Sequence, residues 1–203
     1  FVDLVFDRPL GEGKIGDVLG EDPAKIEPAT GGAWTWQGGN VLRFLKSTRE
    51  TKAIAPLRRK DEPDYRWNWN TPIHLSPTRP GTLYVGAQFL FRSTDRGENW
   101  TRISPDLTTN DFAKLKQQES GGVSVDNTSA ENHCTIYSIS ESPKDPQVIW
   151  VGTDDGNLQL SRDGGGSWTS VGKGIAGVKP GSCVSTVRAG NADPATAYAT
   201  IDG

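Results

Sequence analysis

The sequence predicts an all-β protein assembled from repeated short-stranded units, and three observations carry the prediction. The pattern S-x-D-x-G-x-x-W occurs at Ser93–Trp100 and returns 68 positions later at Ser161–Trp168. A proline stands four residues before an aromatic strand residue three times: Pro80 before Tyr84, Pro146 before Trp150 and Pro194 before Tyr198. Turn formers punctuate the chain throughout, with 24 glycines and 13 prolines in 203 residues, as expected of many short strands rather than long helices.

Each pattern reads as a self-bonded hairpin clip. An Asp at Asp95 or Asp163 can fold back onto nearby backbone N–H groups and hold a tight turn. The glycine two positions on, Gly97 or Gly165, can adopt positive φ without a Cβ clash. Ser93 and Ser161 open the clips, and Trp100 and Trp168 re-enter the next strand as large anchors between sheets. These eight residues are therefore structural, and they specify an architecture more than a chemistry.

In chain order, Phe1–Phe6 alternates like a short strand, and 11–32 reads as loop. Gly11-Glu12-Gly13-Lys14 lacks the spacing of a phosphate-binding loop. Trp34-Thr35-Trp36, Gly38-Gly39-Asn40 and Val41–Phe44 then read strand, turn, strand. Leu83–Gly86 and Phe89–Arg92 lead into the first clip, and Val148–Gly152 and Leu158–Leu160 into the second. Upstream of each aromatic strand lies an alternating run: Ile73-His74-Leu75, Ile136–Ile139 and Val184–Val187. Ala197–Thr200 begins a further copy and reaches Asp202-Gly203, the turn at which the previous copy folds back.

Each full unit thus has four short strands joined by tight turns, which is the signature of a β-propeller blade. The expected fold is an all-β β-propeller segment of four-stranded antiparallel blades. Its predicted parts are an irregular lead-in or piece of a preceding blade at 1–32, a partial blade at 33–57, a blade at 71–104, an insertion at 105–133, a blade at 134–172 and a half blade at 183–203. Within the insertion, Asp111–Glu119 has room for one or two helical turns. A ring needs about 4–8 blades and methionine is absent. The expectation is a piece or processed product of a longer chain, or a ring completed by other subunits.

Composition narrows the functional classes. The net charge of −3 gives no basic footprint for nucleic acid. No apolar run approaches the roughly 20 residues of a membrane-spanning helix, so no membrane span is expected. Two cysteines are too few for a disulfide-built fold, and no Cys-x-x-Cys suggests zinc. No cofactor and no metal are expected.

The clips resemble the Asp-box, or bacterial neuraminidase repeat, of sialidases, xyloglucanase-type glycosidases and the sortilin ectodomain. A nearer resemblance is to large exported bacterial repeat proteins described as glycosyl-hydrolase-like or sortilin-like. It is carried by Arg66–Asn70, Phe91–Gly97, Ile103–Asp111, Ala130–His133 and Val151–Gly156, and covers roughly residues 33 to 203. The resemblance implies Asp-box hairpins on the blade periphery, away from the ligand face. It also implies a bacterial protein outside the cytoplasm, whether periplasmic, cell-surface or secreted.

Aligning the units on their prolines places Trp67-Asn68, His133-Cys134 and Gly181-Ser182 at equivalent positions. Trp67, Asn68, Trp69, Asn70, Glu131, Asn132 and His133 are therefore expected around one mouth of the channel, where indoles, amides and one carboxylate suit a sugar or a peptide. The competing reading makes the tryptophans inter-blade packing and the amides turn caps. Cys183 falls one residue out of register with Cys134, which disfavours a disulfide. Asp154-Asp155-Gly156 reads as a hairpin turn, and Asp106, Asn110 and Asp111 lack calcium-loop spacing.

Glycoside hydrolysis needs two carboxylates about 5–9.5 Å apart, and only Glu131 is placed at the mouth. With histidines only at His74 and His133 and no G-x-S-x-G, a Ser-His-Asp hydrolase has no support. Asn99-Trp100-Thr101 and Asn127-Thr128-Ser129 fit a glycosylation sequon, which matters only in a eukaryotic secretory host. The leading expectation is a non-catalytic binding and interaction scaffold. Its partners would be further blades or other protein subunits, with carbohydrate or peptide as ligand. The alternatives are part of a glycoside hydrolase acting on polysaccharide, and a structural subunit of a larger complex.

Overall fold

A computed structural model describes residues 3–6, 32–46, 48–119, 130–173 and 175–202. The Gly11–Lys14 stretch and the Asn127 sequon lie outside the described residues.

Among the described residues, fourteen strands form three four-stranded antiparallel sheets and one two-stranded sheet. The first sheet holds β1 (Asp3–Phe6), β2 (Gly32–Trp36), β3 (Asn40–Leu45) and β4 (Glu50–Ala53). The second holds β5 (Ile73–Leu75), β6 (Leu83–Gly86), β7 (Leu90–Ser93) and β8 (Thr101–Arg102). The third holds β9 (Ile136–Glu141), β10 (Ile149–Thr153), β11 (Leu158–Ser161) and β12 (Thr169–Ser170). The last pairs β13 (Cys183–Ala189) with β14 (Ala197–Asp202). The first sheet gains its fourth strand from Asp3–Phe6, which pairs with Gly32–Trp36 across a long intervening stretch. Among the described residues of the insertion, the regular structure is one short 3-10 turn, Gln117–Glu119.

The repeat is metrically regular. Tyr84 faces His74, Trp150 faces Ser140 and Tyr198 faces Arg188 across their strand pairs. The proline turns close in the same way: Thr82, Val148 and Thr196 donate to the carbonyls of Arg79, Asp145 and Asp193. A bulge recurs as well, skipping Tyr137 in β9 and Ser185 in β13. Each bulged residue stands three positions before the partner of the aromatic residue.

First strands of successive sheets lie side by side, and successive sheets interlock through glycines. A Cβ on Gly86 would lie 2.6 Å from Ile136 of the next sheet, and one on Gly152 would lie 2.6 Å from Val184. Burial follows this stacking. One core cluster, including Tyr84, Leu90, Ile136 and Ile149, spans the second and third sheets, and another, including Trp150, Leu160, Val184 and Val187, spans the third and fourth.

Both clips close as their spacing requires. The Ser93 hydroxyl donates to Asp95 at 2.7 Å and accepts from the Gly97 N–H at 2.8 Å. Asp95 accepts from the Asn99 backbone at 2.9 Å and from its side-chain amide at 2.7 Å. The second clip repeats the circuit: Ser161 donates to Asp163 at 2.8 Å, Gly165 N–H donates to Ser161 at 2.8 Å, and Ser167 donates twice to Asp163. Gly97 and Gly165 have φ of 87° and 99°. The tryptophans tie each clip to the preceding sheet, Trp100 donating to the Ile54 carbonyl and Trp168 to that of Ile103. An arginine on the third strand of that preceding sheet adds a second tie: Arg43 reaches the Arg96 carbonyl and Arg92 that of Gly164.

Candidate functional site

Antiparallel up-and-down order sorts the connections to two ends of the sheets. The clips and the proline turns share one end. At the other end lie the β6–β7 and β10–β11 turns and the chain segments that enter β5, β9 and β13.

That second end gathers most of the sequence-predicted residues. Asn68 and Glu131 form an isolated antiparallel bridge between neighbouring segments. Asn132 donates to the Trp67 carbonyl at 2.9 Å. Asn68 donates to Thr135 at 3.0 Å and to Asp154 at 3.1 Å. Asn70 donates to the Tyr137 hydroxyl at 2.6 Å. His133 Nδ1 stands 3.6 Å from Asp154. The two indoles part company: Trp67 covers Gly39 and packs with Tyr65 and Phe91, whereas Trp69 is 41% exposed.

Asp154 and Asp155 do more than turn the chain. The turn itself forms, with Gly156 at φ 95° and Thr153 paired to Asn157. Both carboxylates are also buried, at 9% and 2% exposure. Asp154 accepts from the Thr135 backbone and hydroxyl, both at 2.8 Å, besides Asn68. Burial pushes its carboxyl above the usual range despite those bonds. Asp155 accepts twice from Thr109 at 2.7 Å, tying the insertion to the third sheet. Arg66 completes the joint, donating to the Cys134 carbonyl, to Asp106 and to Thr108. Sequence reasoning missed this role because an Asp-Gly turn signal says nothing about what the Asp side chain meets across 86 residues.

The cysteines are unpaired. Burial raises both thiols to about 11, so neither is a ready thiolate.

Beside the joint, a groove of about 520 Å3 runs along β5, β9 and β13. Asn70, His74, Tyr137, Thr186 and Arg188 line it. The bulges supply part of that lining, since Tyr137 and Ser185 are the skipped residues. His74 is held neutral: burial lowers its pKa to about 4, Glu141 opposes that and Arg188 adds to it. Its Nε2 accepts the Glu141 backbone N–H at 3.1 Å. Such a surface offers hydroxyls, an amide, a phenol and one guanidinium to a polar ligand. Among the described residues no group of three His, Cys, Asp or Glu side chains converges to hold a metal, and no helix is long and apolar enough to cross a membrane.

No protein-family model matches the chain, and no curated protein matches it. Solved structures do. An ancestral GH74 enzyme superposes at TM-score 0.51 with 15% identity over 88% of this chain. The Niastella koreensis GH74 enzyme superposes at 0.52 with 14% identity over 98%. The GH74 xyloglucanase from Xanthomonas campestris gives 0.51, 24% and 89%. The sheets are blades of a β-propeller. Identities this low speak for the fold alone. The chain spans only 21%, 28% and 26% of those three proteins.

Proposed function

We propose that the protein is a non-catalytic binding and interaction scaffold within a larger Asp-box β-propeller, exported by a bacterium. The hairpin circuits around Asp95 and Asp163 support the Asp-box reading. Further blades of the same chain, or other protein subunits, are its structural partners. Its ligand is a polar chain, carbohydrate or peptide, laid across Trp69, Asn70 and Tyr137 at the joint and groove.

The observation that carries the reading is the occupation of the acidic groups. Asp154 accepts three hydrogen bonds from Thr135 and Asn68, and Asp155 accepts from Thr109 and Thr153. They fasten segments together, which leaves Trp69 and Asn70 to meet a ligand. Titration calorimetry with xyloglucan oligosaccharides and with unstructured peptides tests this. One of the two binds saturably, and Trp69→Ala weakens it about tenfold, the loss of one aromatic contact. Equal affinity of Trp69→Ala would remove the platform from the account.

The second reading is a part of a glycoside hydrolase acting on polysaccharide, favoured by the GH74 neighbours. In it Glu131, bridged to Asn68, is the carboxyl at the mouth. Release of reducing ends that Glu131→Gln abolishes would establish that reading in place of the first.

A further inference from the structure

A second cavity, of about 400 Å3, opens on the same end of the propeller, outward from the joint. Its walls are the β10–β11 turn, the segment leaving β12 and the segment leading into β13, with Thr109 of the insertion at one side. Lys173 and Lys179 line it. The Lys114 ammonium comes to it from the insertion, 3.7 Å from where a Cβ on Gly181 would sit. Lys173 and Lys179 share the β12–β13 connection and Lys114 comes from the insertion, in a chain whose net charge is −3. None of them makes an ion pair among the described residues.

The carboxylate in the wall forms no ion pair with them among the described residues. Asp155 is 2% exposed and spends its oxygens on Thr109 and Thr153. Ile175, 39% exposed, and Val178 give the cavity an apolar side. Two of the walls are in contact, Gly156 and Gly181 meeting backbone to backbone, with a Cβ on Gly156 only 2.8 Å from the Gly181 Cα.

We propose that this cavity binds the oxyanion, carboxylate or sulfate ester, of an acidic sugar. The lysines take the charged group, and the sugar's apolar face lies on Ile175 and Val178. Lys114, Lys173 and Lys179 are all exposed, and three ammonium groups around one concavity raise the local anion concentration and offer charge-assisted hydrogen bonds. The site is separate from the groove and does not depend on what the groove binds.

Amide chemical-shift titration of the full chain at low salt tests this, with inorganic sulfate, glucuronate and a sulfated disaccharide as the three probes. The expected result is saturable shifts at Gly156, Ile175, Val178 and Gly181. At least one of the two sugars binds about tenfold tighter than inorganic sulfate, as apolar contact on Ile175 requires. Lys114→Gln, Lys173→Gln and Lys179→Gln each weaken sugar binding by about fivefold, with the unfolding midpoint unchanged. Binding also falls as salt rises. Non-saturating shifts, shifts scattered over other lysines, sulfate binding as tightly as both sugars, or an unaltered response in the triple variant would each overturn the proposal.

Discussion

At the scale of single residues, glycine and histidine set the sharpest constraints. Gly97 sits at φ 87°, and a Cβ there would lie 2.4 Å from Ile54 Cδ1. Positive φ and overpacking act together, so Gly97→Ala should cost about 2–4 kcal/mol in urea unfolding. Its neighbour Arg96 also has positive φ, 61°, and the equivalent residue in the second clip is Gly164 at 67°. Arg96→Gly should therefore be neutral or stabilising. A loss as large as that of Gly97→Ala would refute the clip account.

His74 gives a pH dependence of definite sign. Its folded pKa of about 4 lies below the ordinary 6.5, so the unfolded chain binds the extra proton between those values. Stability from this group is complete above pH 6.5 and drains away as pH falls towards 4, by up to about 1.4 kcal/mol per pH unit. Protonating His74 also pits Nε2 against the Glu141 N–H it accepts. His74→Gln should flatten that limb of the stability curve; an unchanged slope would mean that another group carries it. The clip carboxyls titrate elsewhere. Hydrogen bonds from Asn99 and from Ser167 hold Asp95 and Asp163 at about 2, so their contribution is present above the ordinary carboxyl range and lost only towards pH 2.

At the scale of elements, the junction between the second and third sheets turns on Glu141. Its side chain is fully buried and accepts from Ser76, Thr78, Tyr84 and Arg79 at 2.6 to 2.8 Å. Burial would raise its carboxyl pKa, but those four donors outweigh it and hold the group ionised. Glu141→Ala strands the Arg79 charge and three hydroxyls, and should cost about 3–5 kcal/mol. The surface carboxylate Glu98, paired with Arg43 and Lys52, forms the control, with Glu98→Ala leaving the urea midpoint nearly unchanged. Comparable losses in the two variants would contradict a hub at Glu141. Nothing in the local sequence marks this residue. Ile136–Glu141 reads as an ordinary short strand, but all four donors lie more than 55 positions away.

At the scale of the whole molecule, the periodic features were legible and the crossing ones were not. Clip spacing and proline offset identify the blades and even their register, because both are local turn chemistry repeated at fixed distance. Four-residue strands such as Asp3–Phe6 announce themselves weakly, and the pairing of that strand with Gly32–Trp36 cannot be read from either segment alone. The proline alignment did bring Asn68, Glu131, Asn132 and His133 to one end of the sheets. It could not show that Trp67 turns inward onto Gly39, nor that Asp154 and Asp155 bolt that end together. The groove was illegible because it depends on bulges at Tyr137 and Ser185, which shift the faces that simple alternation predicts.

In the proposed function, the joint end of the blades binds a polar ligand without transforming it. Amide shift mapping of the full chain against xyloglucan oligosaccharides and unstructured peptides, with the same samples assayed afterwards for cleavage, tests it most directly. The expected result is saturable shifts confined to Trp69, Asn70, Glu131, His133 and Tyr137, with the ligand recovered intact. Cleaved oligosaccharide in the wild-type sample, absent with Glu131→Gln, would contradict it.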